Sequence, residues 1–533
     1  MSEQINYFAE TTFRNKKQKF GIKTDDRRRH FYVIGKSGMG KSETLTTMAI
    51  QDIQNGNGIC FIDPHGDTAE RLLKFIPEHR VKDVILFDPS DLTFPIAFNV
   101  LEFVEPEMRH MITSGIMGVF KKIWIDAWSA RMEYILNNTL SALLEYPEST
   151  LLGVNRMLAD KDYRKKIVDG LQDPVVKAFW TQEFAKYPDK FREEAVAPIQ
   201  NKVGQFISNP LIRNIVGQTH SSMDIRKIMD EKKIFIVNLS KGKIGEDNSR
   251  LIGGLLITKI QQAAMGRVNI PEEERNDFYM YVDEFQNFAT ESFASILSEA
   301  RKYRLDLILA NQYVAQLTQT SEAVRDAIFG NVGTIVTFRV GAEDAEWMEK
   351  EFSPTITALD IVNLPKRNMY LKLLIDGVTS PAFSAYSLDR LPTPDTTYEQ
   401  QILEHTRKTY GTPKEAVNEM IRAWSGQSLP TATPIPVDAL AVNQSPTITE
   451  NKRTNPNIPQ VYTTNCWACN ADVQTPFQPD PKRPVFCAKH LEESKQGIKL
   501  DLKFAPKEYL SRKPKIHHEE PRPSLPAEGA FSD

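Results

Sequence analysis

Eight consecutive residues near the start of the chain form a phosphate-binding pattern: Gly35, Lys36, Ser37, Gly38, Met39, Gly40, Lys41 and Ser42. They match G-x-x-x-x-G-K-[ST], in which the glycines let backbone N–H groups surround the phosphates of a nucleotide. In such a loop the lysine neutralises phosphate charge and the hydroxyl ligates Mg²⁺. The pattern therefore predicts a site for ATP and Mg²⁺ that uses Lys41 and Ser42. The alternative is a Gly/Ser turn with an exposed lysine.

A pair of carboxylates follows the apolar run Phe278–Val282. Asp283, at the tip of the predicted strand, would hold Mg²⁺ directly or through water. Glu284 would polarise an attacking water molecule. Two adjacent carboxylates with different roles favour hydrolysis of ATP over transfer to a small acceptor. A solvated strand end that happens to be acidic is the alternative.

Two further candidates lie downstream of the acid pair. Gln312 follows another apolar run and could sense the γ-phosphate or orient the water, although glutamine is also common at strand ends without any such role. Arg301 and Arg304 lie on or just after a helix. Either could reach the γ-phosphate bound by a neighbouring subunit, or could complement the helix dipole. Periodicity does not choose between the two arginines.

A separate constellation lies near the end of the chain, where Cys466 and Cys469 are followed by Cys487 and His490. The spacing C-x₂-C…C-x₂-H supplies three thiolates and one imidazole, which suits a closed tetrahedral Zn²⁺ site. Four protein ligands leave no open position, so we expect a structural zinc. Free cysteines in a tail are the alternative, and what the module would contact stays open.

Alternating short apolar runs and helical stretches must position these residues. Strands are predicted at His30–Ile34, Gly58–Ile62, Val84–Phe87, Ile234–Leu239, Phe278–Val282, Asp306–Ala310, Thr334–Val340 and Met369–Ile375. The alternation predicts an α/β fold with a mainly parallel sheet and helices on both faces. His65, in a turn after the second strand, is expected near the site because ligands bind at the carboxyl ends of such strands.

The chain divides by composition into successive segments. Between the two nucleotide motifs, helical periods replace the strands and predict an all-helical insertion. The predicted segments are 1–103 (first part of the core), 104–226 (helical insertion), 227–395 (second part of the core), 396–424 (helical extension), 425–460 (flexible linker), 461–495 (small zinc module) and 496–533 (poorly ordered tail).

Bulk composition excludes several classes of protein. The 533 residues carry a net charge of −3, so no global basic field indicates nucleic acid and any such site must be a local patch. No uninterrupted apolar stretch approaches the length of a membrane span. The four cysteines are too few for a disulfide framework, and the first residues show no signal-peptide pattern. We expect a cytoplasmic protein.

The motifs taken together resemble the HerA/FtsK-type motor ATPases, and within them the coupling proteins of conjugation and type IV secretion, the TraG/TraD family. The nucleotide motifs that carry the resemblance are Gly35–Ser42, Val282–Phe285, Ala300–Tyr303 and Leu309–Gln312. Secondary motifs are Asp63–Asp67, Pro95–Leu101 and Asn238–Gly242. The resemblance covers roughly residues 20–390.

This resemblance implies a RecA-like P-loop NTPase core that assembles as a homo-hexameric ring around DNA. By family analogy Lys41 and Ser42 bind ATP and Mg²⁺, Asp283 is the Mg²⁺ carboxylate, Glu284 is the catalytic base and Gln312 is the sensor. Arg301 is assigned as the finger that acts in trans. A relaxase or secretion-channel proteins would be further partners.

One departure from the family concerns the membrane. Typical coupling proteins begin with a transmembrane anchor, whereas the residues before the phosphate loop contain no apolar span. Docking at the inner face of a membrane would then need a separate anchoring partner. Three alternatives to a DNA translocase remain: a soluble HerA-like DNA-processing motor, a protein-secretion ATPase and a nucleotide-gated adaptor.

Overall fold

A computed structural model describes residues 4–11, 16–102, 105–426, 462–475, 479, 484–495 and 501–505. The chain divides into two compact units, Met1–Ala432 and Thr433–Asp533, and each is described by itself. The flexible linker predicted at 425–460 falls outside the described residues except for its first two positions. Most of the tail predicted at 496–533 also lies outside them.

An eleven-stranded sheet forms the centre of the first unit, in the order β2-β1-β13-β10-β9-β3-β8-β7-β4-β6-β5. Two short strands, β11 and β12, pair separately. The bounds of the strands are β1 Ile5–Thr11, β2 Lys19–Lys23, β3 Phe31–Ile34, β4 Gly58–Asp63, β5 Val84–Phe87, β6 Ile234–Asn238, β7 Phe278–Val282, β8 Leu305–Asn311, β9 Thr334–Thr337, β10 Asn368–Lys372, β11 Leu374–Ile375, β12 Val378–Thr379 and β13 Phe383–Ser387.

The seven strands from β9 to β5 pair in parallel. They are buried, as strands covered by helices on both faces must be, and they are rich in Val, Ile, Leu and Phe. The mainly parallel sheet predicted from the sequence is confirmed. Because parallel strands share one direction, the turns that follow them all emerge at one edge.

The remaining strands of the sheet form an antiparallel wing of β10, β13, β1 and β2. Neither β1 nor β2 nor β13 was predicted from the sequence. The run predicted as one strand at Met369–Ile375 is broken, since β10 ends at Lys372 and β11 turns into a hairpin with β12.

Helices cover both faces of the sheet. Each face packs against its helices through one of two large hydrophobic clusters. The helices before the insertion are α1 Thr24–Arg27, α2 Lys41–Gln54 and α3 Asp67–Leu73. Those of the insertion are α4 Arg109–Ile123, α5 Ala130–Glu145, α6 Leu152–Ala159, α7 Lys161–Gly170, α8 Pro174–Ala178, α9 Asp189–Ser208, α10 Pro210–Val216 and α11 Ile225–Asp230. Those that follow are α12 Lys241–Ile244, α13 Glu246–Met265, α14 Phe293–Glu299, α15 Val314–Thr320, α16 Glu322–Asn331, α17 Ala342–Phe352, α18 Ala358–Val362, α19 Glu399–Tyr410 and α20 Lys414–Trp424.

The insertion is helical throughout its described residues, and it packs on the core through α4 against α13. At their contact a Cβ added to Gly115 would lie 2.4 Å from the side chain of Thr258, so the two helices need a residue without a side chain there. One hydrophobic cluster runs from the sheet through both helices into the insertion. The insertion therefore shares its hydrophobic core with one face of the sheet.

The outer edge of the sheet is covered by a helix from the far end of the unit. α19 packs on β5, and the hydroxyl of Thr406 accepts a hydrogen bond from the N–H of Leu86. An edge strand left open would be a template for pairing with another chain.

No helix among the described residues is both long and apolar enough to cross a lipid bilayer.

Candidate active site and metal centre

The carboxyl ends of three adjacent strands bring the predicted nucleotide residues together. β8 lies between β3 and β7, so the phosphate loop, Gln312 and the acid pair meet at one edge of the sheet, where ligands bind in open α/β sheets. A cavity of about 380 Å³ opens there. Its lining residues are Ser37, Gly38, Gly40, Lys41, Ser42, Glu43, His65, Asp283, Glu284, Gln312, Lys366, Arg367, Ser387 and Arg390.

The phosphate loop needs glycine for two separate reasons. Gly40 has a φ of 133°, which residues with a Cβ rarely adopt. A Cβ on Gly35 would lie 2.6 Å from the Cβ of Phe338, because the chain after β9 runs close against the loop. α2 begins directly after Gly40, so the unpaired N–H groups of its first turn face the loop and favour an anion there.

Lys41 reaches the inside of the loop. Its Nζ donates to the carbonyl oxygen of Gly35 at 2.5 Å and to that of Lys36 at 3.2 Å. Burial lowers the pKa of this ammonium group, and the negative charges of Asp283 and Glu284 oppose that effect. The positive charge therefore lies between the loop and the acid pair, where a phosphate group would be held.

Ser42 and Asp283 are in direct contact although 241 residues separate them in sequence, with Ser42 Oγ donating to Asp283 Oδ2 at 2.6 Å. Burial raises the pKa of Asp283, Ser42 opposes the rise and the nearby charge of Asp63 adds to it. Mg²⁺ binds oxygens at 2.0–2.1 Å in octahedral geometry, so neighbouring ligands lie about 2.9 Å apart. The spacing of these two oxygens fits adjacent positions around one such ion.

Glu284 is the most heavily hydrogen-bonded side chain described at this site. The residue adopts a left-handed conformation with a φ of 45°, directly after the strand. Its carboxylate is 11% exposed and accepts from four side chains. These are Lys241 Nζ at 2.8 Å, His65 Nε2 at 2.9 Å, Gln312 Nε2 at 2.7 Å and Asn287 Nδ2 at 3.0 Å.

These contacts control the charge of Glu284. Burial by itself raises the pKa of the carboxyl group, but the hydrogen bonds and charges of Lys241 and His65 lower it to about 2. The folded pKa lies below the unfolded one, so the pairing stabilises the protein above about pH 4 and loses its effect as the pH falls toward 2. Glu284 is therefore an anion at neutral pH, and its carboxylate is fixed by hydrogen bonds from the four side chains.

The structure adds residues that the sequence did not assign to this site. His65 was expected nearby, but Lys241 and Asn287 were not assigned a contact with Glu284. Lys241 directly follows the turn after β6 and lies within the motif Asn238–Gly242, but neither signal indicated a contact with Glu284. Three basic residues from the chain around β10 and β13 also line the cavity, namely Lys366, Arg367 and Arg390.

Arg301 is not brought to the site of its own chain. It lies on a short turn, Ala300–Tyr303, that precedes β8, whereas Gln312 follows the same strand. The seven residues of β8 separate the two by about 20 Å. Arg301 is exposed, whereas Arg304 is partly buried, with its guanidinium 3.9 Å from Glu272 and 3.9 Å from Asp277.

The second unit contains the predicted metal ligands. β14 Tyr462–Asn465 pairs with β15 Asp472–Thr475, and α21 Ala488–Lys495 begins directly after Cys487. The four candidate ligand atoms all lie within 4.8 Å of one another. The first two cysteines occupy the turn between the strands, and His490 lies in the first turn of the helix.

The spacing of these atoms fits zinc. A tetrahedral ion with Zn–S bonds of about 2.3 Å places two sulfurs about 3.8 Å apart, and the sulfurs of Cys469 and Cys487 are 3.8 Å apart. His490 Nδ1 lies 3.6 Å from the sulfur of Cys466 and 3.2 Å from that of Cys487. Burial raises the pKa of the Cys466 thiol, but backbone N–H groups lower it to about 6, which favours the thiolate that a metal requires.

The metal prediction can be tested by zinc analysis of the purified full chain. We expect one zinc ion per chain, and we expect Cys469→Ser and His490→Ala to lose it. A complete structural zinc site contributes on the order of 10–16 kcal/mol of binding free energy, and a site with three ligands would bind the ion much more weakly. His79→Ala, at an exposed histidine of the first unit, is the matched control. Wild-type protein that carries no zinc after expression in zinc-supplemented medium would contradict the assignment.

Comparisons with known proteins agree with this geometry. Residues 18–364 match the family described as the type IV secretion-system coupling protein DNA-binding domain, and residues 460–494 match a probable treble clef zinc finger. The type 4 coupling protein DotL of Legionella pneumophila is 19% identical over 383 residues, which are 61% of this chain and 48% of DotL. The chain thus spans about half the length of that relative.

Solved structures show the same fold. The plasmid coupling protein TrwB in complex with ADP and Mg²⁺ superposes with a TM-score of 0.54 at 15% identity, over 75% of this chain and 98% of TrwB. TrwB with a non-hydrolysable GTP analogue superposes with a TM-score of 0.53, also at 15% identity, over 75% of this chain and 99% of that one.

The predicted fold is therefore confirmed as a coupling-protein-like P-loop NTPase core, with a helical insertion and a C-terminal zinc-finger module. The family match covers more than half of the chain. The chain belongs to the type IV secretion-system coupling protein family.

Proposed function

We propose that the chain is an ATP-hydrolysing DNA translocase, which works as a homo-hexameric ring and moves DNA in conjugative or type IV secretion-like transfer. The contact of Ser42 with Asp283 beside Glu284 is the observation that carries the hydrolytic part. Membership of a family defined by its DNA-binding domain supports the DNA part. TrwB, which shares the fold, has been solved with ADP and Mg²⁺.

The proposed binding step uses the loop and the base of the site. Lys41 exchanges its contacts with the loop carbonyls for phosphate oxygens, and the N–H groups at the start of α2 hold the same phosphates. Ser42 and Asp283 would hold Mg²⁺, and the ion would supply positive charge that neutralises phosphate charge. Asp283 must be ionised for this role, and a divalent cation offsets the burial that raises its pKa.

The proposed hydrolytic step uses the residues around the acid pair. Glu284 accepts a hydrogen bond from the attacking water and orients it toward the γ-phosphate, and Gln312 holds the same water from the neighbouring strand. In the arrangement described above, four side chains occupy the Glu284 carboxylate. At least one of them must move before a water can take its place.

Arg301 completes the site from the next subunit in this proposal. Its position at the opposite end of β8 separates it from the phosphate loop of its own chain, and its exposed side chain is available to a neighbour. Arg304 is the weaker candidate because its guanidinium already lies near two carboxylates. An arginine supplied in trans would make hydrolysis depend on assembly.

The biological setting belongs to the same proposal. Membership of the coupling-protein family supports a relaxase or secretion-channel proteins as partners. We place the protein in the cytoplasm or at the inner face of the membrane through such a partner.

Glu284→Gln tests the assignment of the base. We expect ATP turnover to fall by about 10²–10⁴-fold, because the amide cannot accept a proton, while ATP binding is retained. Glu346→Gln is the matched control, because this exposed carboxylate of α17 lines neither cavity described at the site. Turnover by Glu284→Gln close to that of the control would remove Glu284 from the mechanism; a fluorescent ATP analogue measures binding in the same preparations.

Mixing two inactive variants tests the trans arginine. Arg301→Ala should lower turnover by about 10³–10⁵-fold, and Lys302→Ala, at the adjacent exposed residue, should not. Mixed rings of Arg301→Ala and Glu284→Gln should recover part of the activity, because some seams then combine an intact base with an intact arginine. If Arg301 acted within its own chain, mixing would restore nothing.

DNA-dependent ATP hydrolysis tests the function as a whole. We expect single- or double-stranded DNA to raise the ATP turnover of wild-type protein. Lys41→Ala should be inactive with or without DNA. The native mass measured in the presence of ATP should correspond to a hexamer. Turnover that DNA leaves unchanged would contradict the DNA translocase. Fast turnover of that kind would favour a protein-secretion ATPase, and very slow turnover in an assembled ring would favour a nucleotide-gated adaptor.

A further inference from the structure

A second cavity lies beside the nucleotide site, at the junction between the insertion and the core. Its volume is about 370 Å³. It is formed by α4 of the insertion, by α13, by the segment that follows Glu284 and by α15. The lining residues are Gly118, Lys121, Lys122, Ile125, Arg250, Gln286, Asn287, Thr290, Glu291 and Gln316. None of them was assigned a role from the sequence.

The lining of this cavity is basic. Lys121, Lys122 and Arg250 converge on it, and Glu291 is the carboxylate among its described lining residues. Lys121 and Glu291 are 4.0 Å apart, with side chains 50% and 69% exposed. Arg250 pairs with the exposed Glu246 one helical turn away. Such surface pairs contribute little, so neither pair would prevent these cations from meeting a stronger anion.

Lys122 is the buried cation of the group. Its Nζ donates to the backbone carbonyl oxygens of Gln286, at 2.6 Å, and of Ala289. Among the described residues no carboxylate lies within ion-pair distance of it. Burial, and then the repulsion of Arg250, lower the pKa of Lys122 to about 7. A buried ammonium group held by carbonyls alone would gain from a nearby anion.

The wall between the two cavities is a single short turn. The turn Phe285–Asn287 directly follows Glu284, and the side chain of Asn287 lines the second cavity while its Nδ2 donates to Glu284 at 3.0 Å. Lys122 holds the same turn from the insertion side through the carbonyl of Gln286. A displacement of Lys122 would therefore shift this turn and change the hydrogen bond between Asn287 and the Glu284 carboxylate.

We propose that this cavity binds a phosphate of the DNA backbone, and that occupancy is transmitted to Glu284 through Asn287. The proposal rests on the proposed function, since it names where the translocated DNA touches the chain. Lysine, arginine and side-chain amide donors in one concavity are the groups that proteins use for backbone phosphates. The exposed Ile125 at its lining offers an apolar contact for a sugar or base.

The transmission step follows from the contacts of Lys122. A phosphate between Lys121 and Arg250 attracts the Lys122 ammonium away from the carbonyls of the turn. The turn then shifts, Asn287 releases one oxygen of Glu284, and that oxygen becomes available to a water. DNA need only bind the released arrangement more tightly than the held one to shift the population toward it.

Salt-dependent DNA binding tests the site. Binding of a labelled oligonucleotide is measured between 50 and 200 mM salt for wild type, Lys121→Ala and Arg250→Ala. Each variant should lower the slope of log K against log salt by about one, because each loses a phosphate contact. ATP turnover without DNA should stay within about twofold of wild type. Lys165→Ala, an exposed lysine of the same insertion outside the cavity, should leave the slope unchanged.

Asn287→Ala tests the transmission. This variant should bind DNA with the wild-type slope but lose most of the difference between its turnover with and without DNA. Retained stimulation in Asn287→Ala would overturn the transmission.

The outcomes for the site and for the function are distinguishable. Wild-type slopes in both Lys121→Ala and Arg250→Ala, alongside DNA-stimulated wild-type protein, would overturn the site and leave the translocase standing. Wild-type protein that neither binds nor responds to DNA would overturn both proposals.

Discussion

The nucleotide site depends on one constraint, the shared direction of adjacent parallel strands. Because β3, β8 and β7 run side by side in one direction, three turns from distant parts of the sequence emerge within hydrogen-bonding distance. The hydroxyl of Ser42 meets Asp283, and the amide of Gln312 meets Glu284. No local motif could create these contacts. A slip of one residue in any of the three strands would turn its end residue to the opposite face of the sheet.

Glu284 is contacted by side chains from three separate segments of the first unit. Lys241 reaches it from the turn after β6, His65 from the turn after β4, and Asn287 from the segment beside the insertion. A carboxylate with a pKa of about 2 is ionised at neutral pH and is a weak proton acceptor. The same pairing that keeps Glu284 ionised therefore also makes it a poor base, and its release is the step that we propose DNA controls.

The parts of this fold that are local in sequence could be predicted, and the parts that depend on pairing could not. The phosphate loop and the parallel strands are recognisable because glycine spacing and continuous apolar runs are local signals. β2 was missed because it is a short, part-exposed edge strand. β1 lies inside the sheet and has seven residues, but its buried and exposed positions do not alternate regularly, so its pattern is weak. The contact of Lys241 with Glu284 depends on strand order, which composition does not encode. The contact of Asn287 with Glu284 depends on the tight turn Phe285–Asn287 that directly follows the strand. Arg301 stays a prediction because its expected partner lies in another subunit.

The antiparallel wing has a consequence for where the folding unit ends. The family match stops at residue 364, whereas β10 begins at Asn368, β13 at Phe383 and the helix that closes β5 at Glu399. β1 likewise precedes the match, which starts at residue 18. Family resemblance thus outlines the chemistry of this protein and leaves out three strands of the antiparallel wing (β1, β10 and β13) and the helix that covers β5. The sheet and the helix that covers its edge therefore extend over a longer piece of chain than the piece by which the family is recognised.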